Sequence, residues 1–305
     1  MKYQIIDPSQ FCHFLQIFWK NNVRRLFFYI NNKKLLYPLQ HGFQPGHSTS
    51  ISLLGIQDRI SKSIDNNEFS IGIFLDLAKA FDSVDHNVLL TKLQHYGVRG
   101  ESFNWFKSYL SDRTQRVSCN GSLSNLQQIL FGVPPLLFLL YINDLPNSSS
   151  LLRFILFADD SNAFLSHSSY DQLIKIANRE LILAADWFKA NKLSLNVSKT
   201  NFIVFRSSKK TIPIIDAELS IDNIIIPKVE ISKFLGVLID QHLKWNYHIN
   251  AISKKIMKNT GIIKRISHLL PPQILKNLYY ALIYPYLTYC NLIWTATYPS
   301  HLAKL

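Results

Sequence analysis

Residues 152–161 read LRFILFADDS, an apolar run that ends in two adjacent carboxylates, Asp159 and Asp160. A run of this length between polar neighbours has the signature of a strand. Two like charges at its end repel, and burying either one without a partner is costly or protonates it. A cation at the turn answers that repulsion. The plainer alternative is a solvated turn, since Asp is a common turn residue, and taken alone the stretch favours it.

A second run of strand length, Ser70-Ile71-Gly72-Ile73-Phe74-Leu75, leads into Asp76 in the same way. If the two strands are neighbours in a sheet, three carboxylates converge at one edge. Hard oxygen ligands of this kind suit Mg²⁺, with Mn²⁺ as the alternative ion, because such ions take oxygen ligands and share their sites with substrate phosphates. Two ions roughly 3.5 to 4 Å apart activate an attacking hydroxyl and stabilise the leaving oxygen in an in-line displacement at phosphorus.

The charge balance agrees with a phosphate-bearing partner. Against 20 Asp and Glu the chain carries 33 Lys and Arg, a formal charge of +13, which points to nucleic acid first and a membrane surface second. Cys12, Cys119 and Cys290 are too widely spaced for a zinc pair and too few for a disulfide framework, so reduced packing residues in an intracellular protein are expected. The amino terminus lacks a secretory pattern. The most apolar segment, Ile129 to Ile142, is shorter than the roughly 20 residues of a spanning helix and is broken by Pro134 and Pro135, which argues against a membrane protein.

Along the chain, strands and helices mix in an α+β pattern. The aromatic and basic segment through Leu39 reads as helical. Gly42, Pro45 and Gly46 mark a turn, after which Ser48 or Thr49 caps a helix through Ile60. A helix starting near Ser83 to Asp85 carries Leu89, Leu93 and Tyr96 on one face and ends at Gly97, and another carries Phe103, Phe106 and Tyr109. Gln115, Val117 and Cys119 alternate as a strand before a turn at Asn120-Gly121. Asp159-Asp160 is the expected tip of a hairpin returning through 162–165. Ser169 to Gln172 fits a capping box opening a helix that ends near Asn191. Residues 202–205 and 234–239 read as strands. From Asn246 onward the pattern is helical, with Ile249, Ile252, Ile256 and Ile263 on an apolar face and Lys254, Lys255 and Lys258 off it. A basic face of that kind is ordinarily just solvated; beside a phosphate-handling site it grips a nucleic-acid backbone.

Six ordered blocks then stand out: QHGFQPGHST, FLDLAKAFDSVDH, GVPPLLFLLYINDLP, FADD, LSLNVSKTNFIVF and FLGVLIDQHLKWNYHI, followed by ALIYPYLTYCNLIW. Through them the chain resembles, over nearly its whole length, the reverse transcriptases of non-LTR retrotransposons of the jockey and LINE type. The resemblance implies an α+β right-hand polymerase. Its partial fingers would occupy 1–69, an antiparallel-sheet palm with fingers elements 70–245, and a truncated helical thumb 246–305. It implies an RNA-directed DNA polymerase working on an RNA template, a DNA primer or target and dNTPs, with two Mg²⁺ ions, in the nucleus or cytoplasm.

The same resemblance assigns roles residue by residue. Asp76, Asp159 and Asp160 match the metal-binding carboxylates, and Lys199 matches a catalytic lysine near the triphosphate. Leu77 and Phe81 fall in the nucleotide site, Phe81 matching the aromatic beneath the incoming sugar. Leu235 and Gly236 match the turn that grips the primer end; the helix face with Lys254, Lys255 and Lys258, read from its charge pattern, is the expected contact to the nucleic-acid backbone.

Two departures from the family pattern matter. Where the family reads GVPQGSVLGPLLF, this chain passes from Gly132-Val133-Pro134 directly to Pro135-Leu136-Leu137-Phe138, so about six residues of a nucleotide-site wall are missing. A shortened loop is thermodynamically mild, so the fold is expected to survive while catalysis suffers and Leu137, Leu140 and Tyr141 are open to displacement. In the nucleotide site, Gln44 stands where the family often has arginine and lacks its charge and its bidentate fork. Neither an endonuclease domain nor a Cys/His knuckle is visible, so the chain reads as a fragment of a mobile element, and a catalytically dead nucleic-acid-binding remnant is the alternative function.

Overall fold

A computed structural model of the chain describes residues 4–6, 13–111, 114–119, 122–125, 127–128, 132–213, 218–303 and 305. The first elements are β1 (Gln4–Ile6), α1 (His13–Asn32), α2 (Thr49–Asp65) and β2 (Phe69–Leu75). Ser48 caps α2 by accepting the Ile51 N–H at 3.2 Å, as its position before the apolar repeat predicts. α3 (His86–His95) starts on Asp85, whose carboxylate accepts the N–H groups of Asn87 and Val88 at 3.0 Å each. α4 (Gly100–Leu110), β3 (Thr114–Cys119), β4 (Ser122–Leu123) and β5 (Gln127–Gln128) follow, and β3 pairs antiparallel with β1. The turn expected at Asn120-Gly121 lies outside the described residues.

Next come α5 (Pro135–Ile142), β6 (Arg153–Phe157), β7 (Asp160–His167), α6 (Tyr170–Ala190) and β8 (Asn201–Phe205). Two hairpins, β9 (Leu219–Ile221) with β10 (Ile224–Ile226) and β11 (Ile231–Phe234) with β12 (Val237–Asp240), precede the helical end. That end consists of α7 (Asn246–Ile266), α8 (Pro272–Leu282), α9 (Tyr284–Thr288), α10 (Asn291–Trp294) and α11 (Pro299–Leu302).

The centre is a four-stranded antiparallel sheet in the order β6-β7-β2-β8. Alternation along each strand divides the core into two clusters, because successive side chains point to opposite faces. Ile71, Ile73 and Leu75 of β2 pack with Phe154 and Leu156 of β6 against α6, α5, α3 and α1. Phe74, Ile155, Phe164 and Phe205 point the other way, onto Leu53, Ile56 and Ile60 of α2, the β11–β12 hairpin and Ile249 of α7. All seven residues of β2 are buried, the pattern of a central strand covered on both faces.

Several expectations need correction. The amino-terminal helix stops at Asn32 rather than running to Leu39, and Lys34 then adopts a left-handed φ of 51°. α2 continues to Asp65, past Ile60. The Ser169 side chain makes no capping bond to α6; its backbone N–H is taken by His167 Nδ1 at 3.0 Å instead. Residues 234–239 form a hairpin with Leu235 and Gly236 as its turn, both at positive φ, 44° and 82°. Leu137, Leu140 and Tyr141, next to the shortened loop, are fully buried. Among the described residues no helix is long and apolar enough to cross a membrane.

Candidate active site

The site is built from strand ends. Register pairs Leu75 of β2 with Ser161 of β7, and Ser161 in turn with Leu156 of β6. One step further along this ladder sets Asp76 beside Asp160, which faces Phe157. Neighbouring side chains on one face of a sheet have Cβ atoms about 4.5 to 5.5 Å apart. By alternation from Phe74 and Phe164, this row belongs to the face covered by α2, the β11–β12 hairpin and α7. Asp159 stands beside it in the turn. The tip of the hairpin is therefore Ala158-Asp159, with Asp160 the first residue of the return strand, one position from the expected tip.

Asp160 has its carboxyl pushed up to about 6, by desolvation first and then by the Asp159 and Asp76 charges. By surface area the residue is exposed. The register places the other two carboxylates beside it. Even so, among the described residues no three His, Cys, Asp or Glu side chains are gathered closely enough to form a ready metal site. Three negative charges without a counterion repel one another. The donor set is the all-oxygen one that Mg²⁺ or Mn²⁺ takes.

Asp76 is fixed through its backbone. Its N–H donates to Thr200 Oγ1 at 3.3 Å, its carbonyl accepts the Asn196 N–H at 2.8 Å, and Leu77 bridges Leu195. The loop that carries Lys199 is thus tied directly to the Asp76 strand end, and the Lys199 side chain is exposed. Leu77 and Phe81 are half-buried. Phe81 sits between Phe138 of α5, with ring centroids 4.6 Å apart, and the exposed Phe43, 6.4 Å away. The Phe81 carbonyl accepts the Val133 N–H at 3.0 Å, and the chain then turns through Pro134 into α5. Gln44, on the far side of Phe43, spends its amide on the Gln40 carbonyl at 2.6 Å.

Leu235 and Gly236 form the turn of the β11–β12 hairpin. The Tyr289 hydroxyl donates to the Leu235 carbonyl at 2.7 Å, and a Cβ on Gly236 would come within 3.3 Å of the Tyr289 ring. Lys254, Lys255 and Lys258 are exposed on α7, and Lys255 lies 5.4 Å from the centroid of the Tyr286 ring.

One part of the site has no counterpart in the sequence reading. Residues 39–42 run beside edge strand β6, with His41 N–H donating to the Leu156 carbonyl at 2.8 Å and Leu156 N–H to the Leu39 carbonyl at 2.9 Å. Gln40, only 1% exposed, accepts through Oε1 from Gly42 N–H at 2.9 Å and from Ala158 N–H at 3.0 Å. The Gly42 backbone lies flat against the acidic turn, and a Cβ there would stand 2.4 Å from the Ala158 nitrogen. Ala158 itself holds a left-handed φ of 57°, a strained state for a residue with a side chain. The QHGF block carried the only sequence signal for this contact.

Comparison with known proteins bears on the whole chain. Residues 15–239 match the family model described as reverse transcriptase (RNA-dependent DNA polymerase). A probable RNA-directed DNA polymerase from transposon X-element of Drosophila melanogaster is 28% identical over 284 residues, covering 87% of this chain and 30% of that protein. The probable RNA-directed DNA polymerase from transposon BS of the same organism is 26% identical, covering 74% of this chain and 26% of its own length. The RNA-directed DNA polymerase from mobile element jockey, also of Drosophila melanogaster, is 23% identical over 89% of this chain and 31% of its own length. The chain thus spans about 30% of the length of the relatives it matches.

Proposed function

We infer the function from one premise: the chain belongs to the reverse transcriptase (RNA-dependent DNA polymerase) family. On that premise it is the polymerase domain of a non-LTR retrotransposon, and its reaction is RNA-directed DNA synthesis, in which a primer 3′-hydroxyl attacks the α-phosphate of a dNTP and pyrophosphate leaves. What supports this reading is the strand register, which sets Asp76 and Asp160 side by side at adjoining strand ends, with Asp159 in the turn next to Asp160.

In this reading Asp76 and Asp159 are the principal ligands of two Mg²⁺ ions, with Asp160 supporting. When bound, the ions would lower the pKa of the attacking hydroxyl and neutralise charge on the phosphates. The chain's own residues do the rest. Lys199, on the loop tied to Asp76, faces the triphosphate and neutralises or protonates the leaving pyrophosphate. Phe81, held by Phe138 and flanked by Leu77, forms the floor beneath the incoming sugar and excludes a 2′-hydroxyl by its bulk. Leu235 and Gly236 bring backbone close to the primer end, and Lys254, Lys255 and Lys258 contact backbone phosphates of the template–primer duplex. The corresponding divisions are fingers in 1–69, palm in 70–245 and thumb in 246–305.

Two features predict an impaired enzyme. The missing segment after Pro134 removes one wall of the nucleotide pocket, since the chain leaves the Phe81 carbonyl at Val133 and enters α5 directly. Gln44 supplies no charge for the triphosphate, and its amide is already engaged. The second reading, a binding remnant without chemistry, is favoured by these same two features.

The test is dNTP incorporation on an oligonucleotide-primed RNA by the purified chain, beside Asp159→Ala and a version with QGSVLG inserted after Pro134. Weak incorporation that rises at least tenfold with the insertion and vanishes in Asp159→Ala is expected. Incorporation untouched by Asp159→Ala rejects the metal assignment. Salt-dependent RNA binding with no incorporation from either the chain or its repaired form selects the remnant.

A further inference from the structure

We propose that Gln40 is a positioning residue for the acidic turn: its side-chain oxygen fixes the backbone from which Asp159 and Asp160 project, so that the pair is set for a divalent cation. The proposal rests on the metal-site reading above and extends it to a residue 118 positions away in sequence from Ala158.

The geometry is specific. A two-residue turn through Ala158 and Asp159 leaves the Ala158 N–H pointing out of the β6–β7 ladder, where water or a side chain must satisfy it. Gln40 Oε1 takes that N–H at 3.0 Å and the Gly42 N–H at 2.9 Å, so one oxygen bridges the turn and the segment packed on it. That segment is itself locked to β6 by two backbone bonds at Leu156. Gln44 Nε2 donates to the Gln40 carbonyl at 2.6 Å and holds the main chain from the other side. Gly42 completes the contact, because no side chain fits between residue 42 and the Ala158 nitrogen.

Among the described residues the buried Nε2 of Gln40 has no hydrogen-bond partner, an arrangement that costs free energy and that an apolar side chain of similar volume would avoid. A position selected for packing alone has no use for that amide. A position whose oxygen must hold a strained left-handed residue in place does. Ala158 is held at its φ of 57° by contacts from outside its own hairpin, which is how strain persists where surroundings over-determine it. The partners that orient metal ligands typically contribute 10- to 100-fold to metal affinity.

The experiment measures Mn²⁺ binding to the full chain by electron paramagnetic resonance, with no substrate present, for the parent and for Asp159→Ala, Gln40→Met and Gln40→Glu. Circular dichroism and urea melts report the folded fraction of each. The parent is expected to bind Mn²⁺ in a manner lost in Asp159→Ala. Gln40→Met, which removes the acceptor at nearly constant volume, is expected to weaken binding about tenfold in protein that remains folded. Gln40→Glu, which restores an oxygen to both N–H groups, is expected to stay within about threefold of the parent. If Gln40→Met does not fold, Gln40→Asn, whose amide falls one methylene short of both donors, takes its place with the same expectation. Unchanged Mn²⁺ affinity in folded Gln40→Met or Gln40→Asn overturns the proposal while leaving the metal site standing. Equal losses in the Met and Glu variants overturn it too, by assigning the effect to packing. A parent chain with no Mn²⁺ binding that depends on Asp159 removes the site reading itself, a distinct result.

Discussion

Among the two-residue hairpin turns of the described residues, those of β6–β7 and β11–β12 each place a non-glycine residue in the left-handed region, and they are held in opposite ways. At the β6–β7 turn, Ala158 at φ 57° is clamped from a buried side: Gln40 takes its N–H and Gly42 lies against its nitrogen. At the β11–β12 turn, Leu235 at φ 44° is held through its carbonyl by the hydroxyl of Tyr289, a residue 44% exposed. The first turn extends a four-stranded sheet covered on both faces; the second belongs to a two-stranded sheet packed on one cluster. A carboxylate pair that holds ions needs fixed backbone, whereas a turn that follows a moving primer end works with a lighter restraint. The proposed roles thus match the two kinds of support.

Protons give the largest effect that separates the regions. His248 of α7 lies under the second hairpin, accepting the Leu238 N–H through Nδ1 at 3.3 Å, and its pKa is lowered to about 4 by burial first and by the Lys255 charge second. A histidine whose folded pKa lies below its unfolded value of about 6.5 binds fewer protons when folded. Its contribution is therefore complete above about pH 6.5 and is lost as pH falls through the window down to about 4, by as much as about 3 kcal/mol. Asp160 has the opposite sign: its raised carboxyl destabilises the folded chain as pH rises through about 6. Acid is thus expected to loosen the second hairpin while relieving the first. Urea midpoints at pH 7 and pH 4.5, for the parent and for His248→Asn, measure it. A pH dependence that is the same in both proteins removes His248 as its source.

Steric contact at the first turn comes next. Gly42→Ala drives a Cβ to 2.4 Å from the Ala158 nitrogen, and neither atom can swing aside, one being backbone and the other bonded directly to it. Overpacking of this kind costs about 1 to 3 kcal/mol, and here the displaced atoms carry Asp159. A loss of about 2 kcal/mol in urea stability is expected together with a larger loss of Mn²⁺ binding than Gly236→Ala produces. If Gly236→Ala costs the metal site as much, the two turns are not independently supported and the comparison fails.

The strand ends were legible because each apolar run stops on a carboxylate, a pattern that survives in the letters: Leu75 then Asp76, Phe157 then Ala158-Asp159-Asp160. Their pairing was an inference from shared chemistry, and register supplied it. The supports were not legible for a physical reason. Ala158 carries no mark of positive φ, which a glycine would have signalled, and Gln40 reaches it across 118 residues through a single side-chain oxygen. The Ser169 capping box misled because His167, two residues earlier, takes the Ser169 backbone N–H that the box would have used. β1 is three residues long and acquires a partner only in β3, so no local period announces it. The segment at Pro134-Pro135 was readable as a loss, and α5 starts directly on it with every residue from Leu136 to Ile142 buried. That depth of burial explains how the sheet tolerates the shortened loop.

The smallest effect is the sharpest test of the contrast between the turns. Tyr289→Phe removes the one hydroxyl that reaches the Leu235 carbonyl and keeps the ring that lies against Gly236. Because Tyr289 reaches solvent, water replaces the lost donor, and the net cost of such a hydrogen bond is about 0.5 to 1 kcal/mol. Global stability should fall by no more than that, while amide exchange at Gly236 and Val237 accelerates severalfold, a local opening rather than a global one. Gln40→Met is expected to do the reverse, changing exchange little at the second hairpin and lowering the urea midpoint further. Should Tyr289→Phe destabilise the chain more than Gln40→Met, the lightly held turn is the β6–β7 one, and the carboxylates owe their placement to the sheet alone.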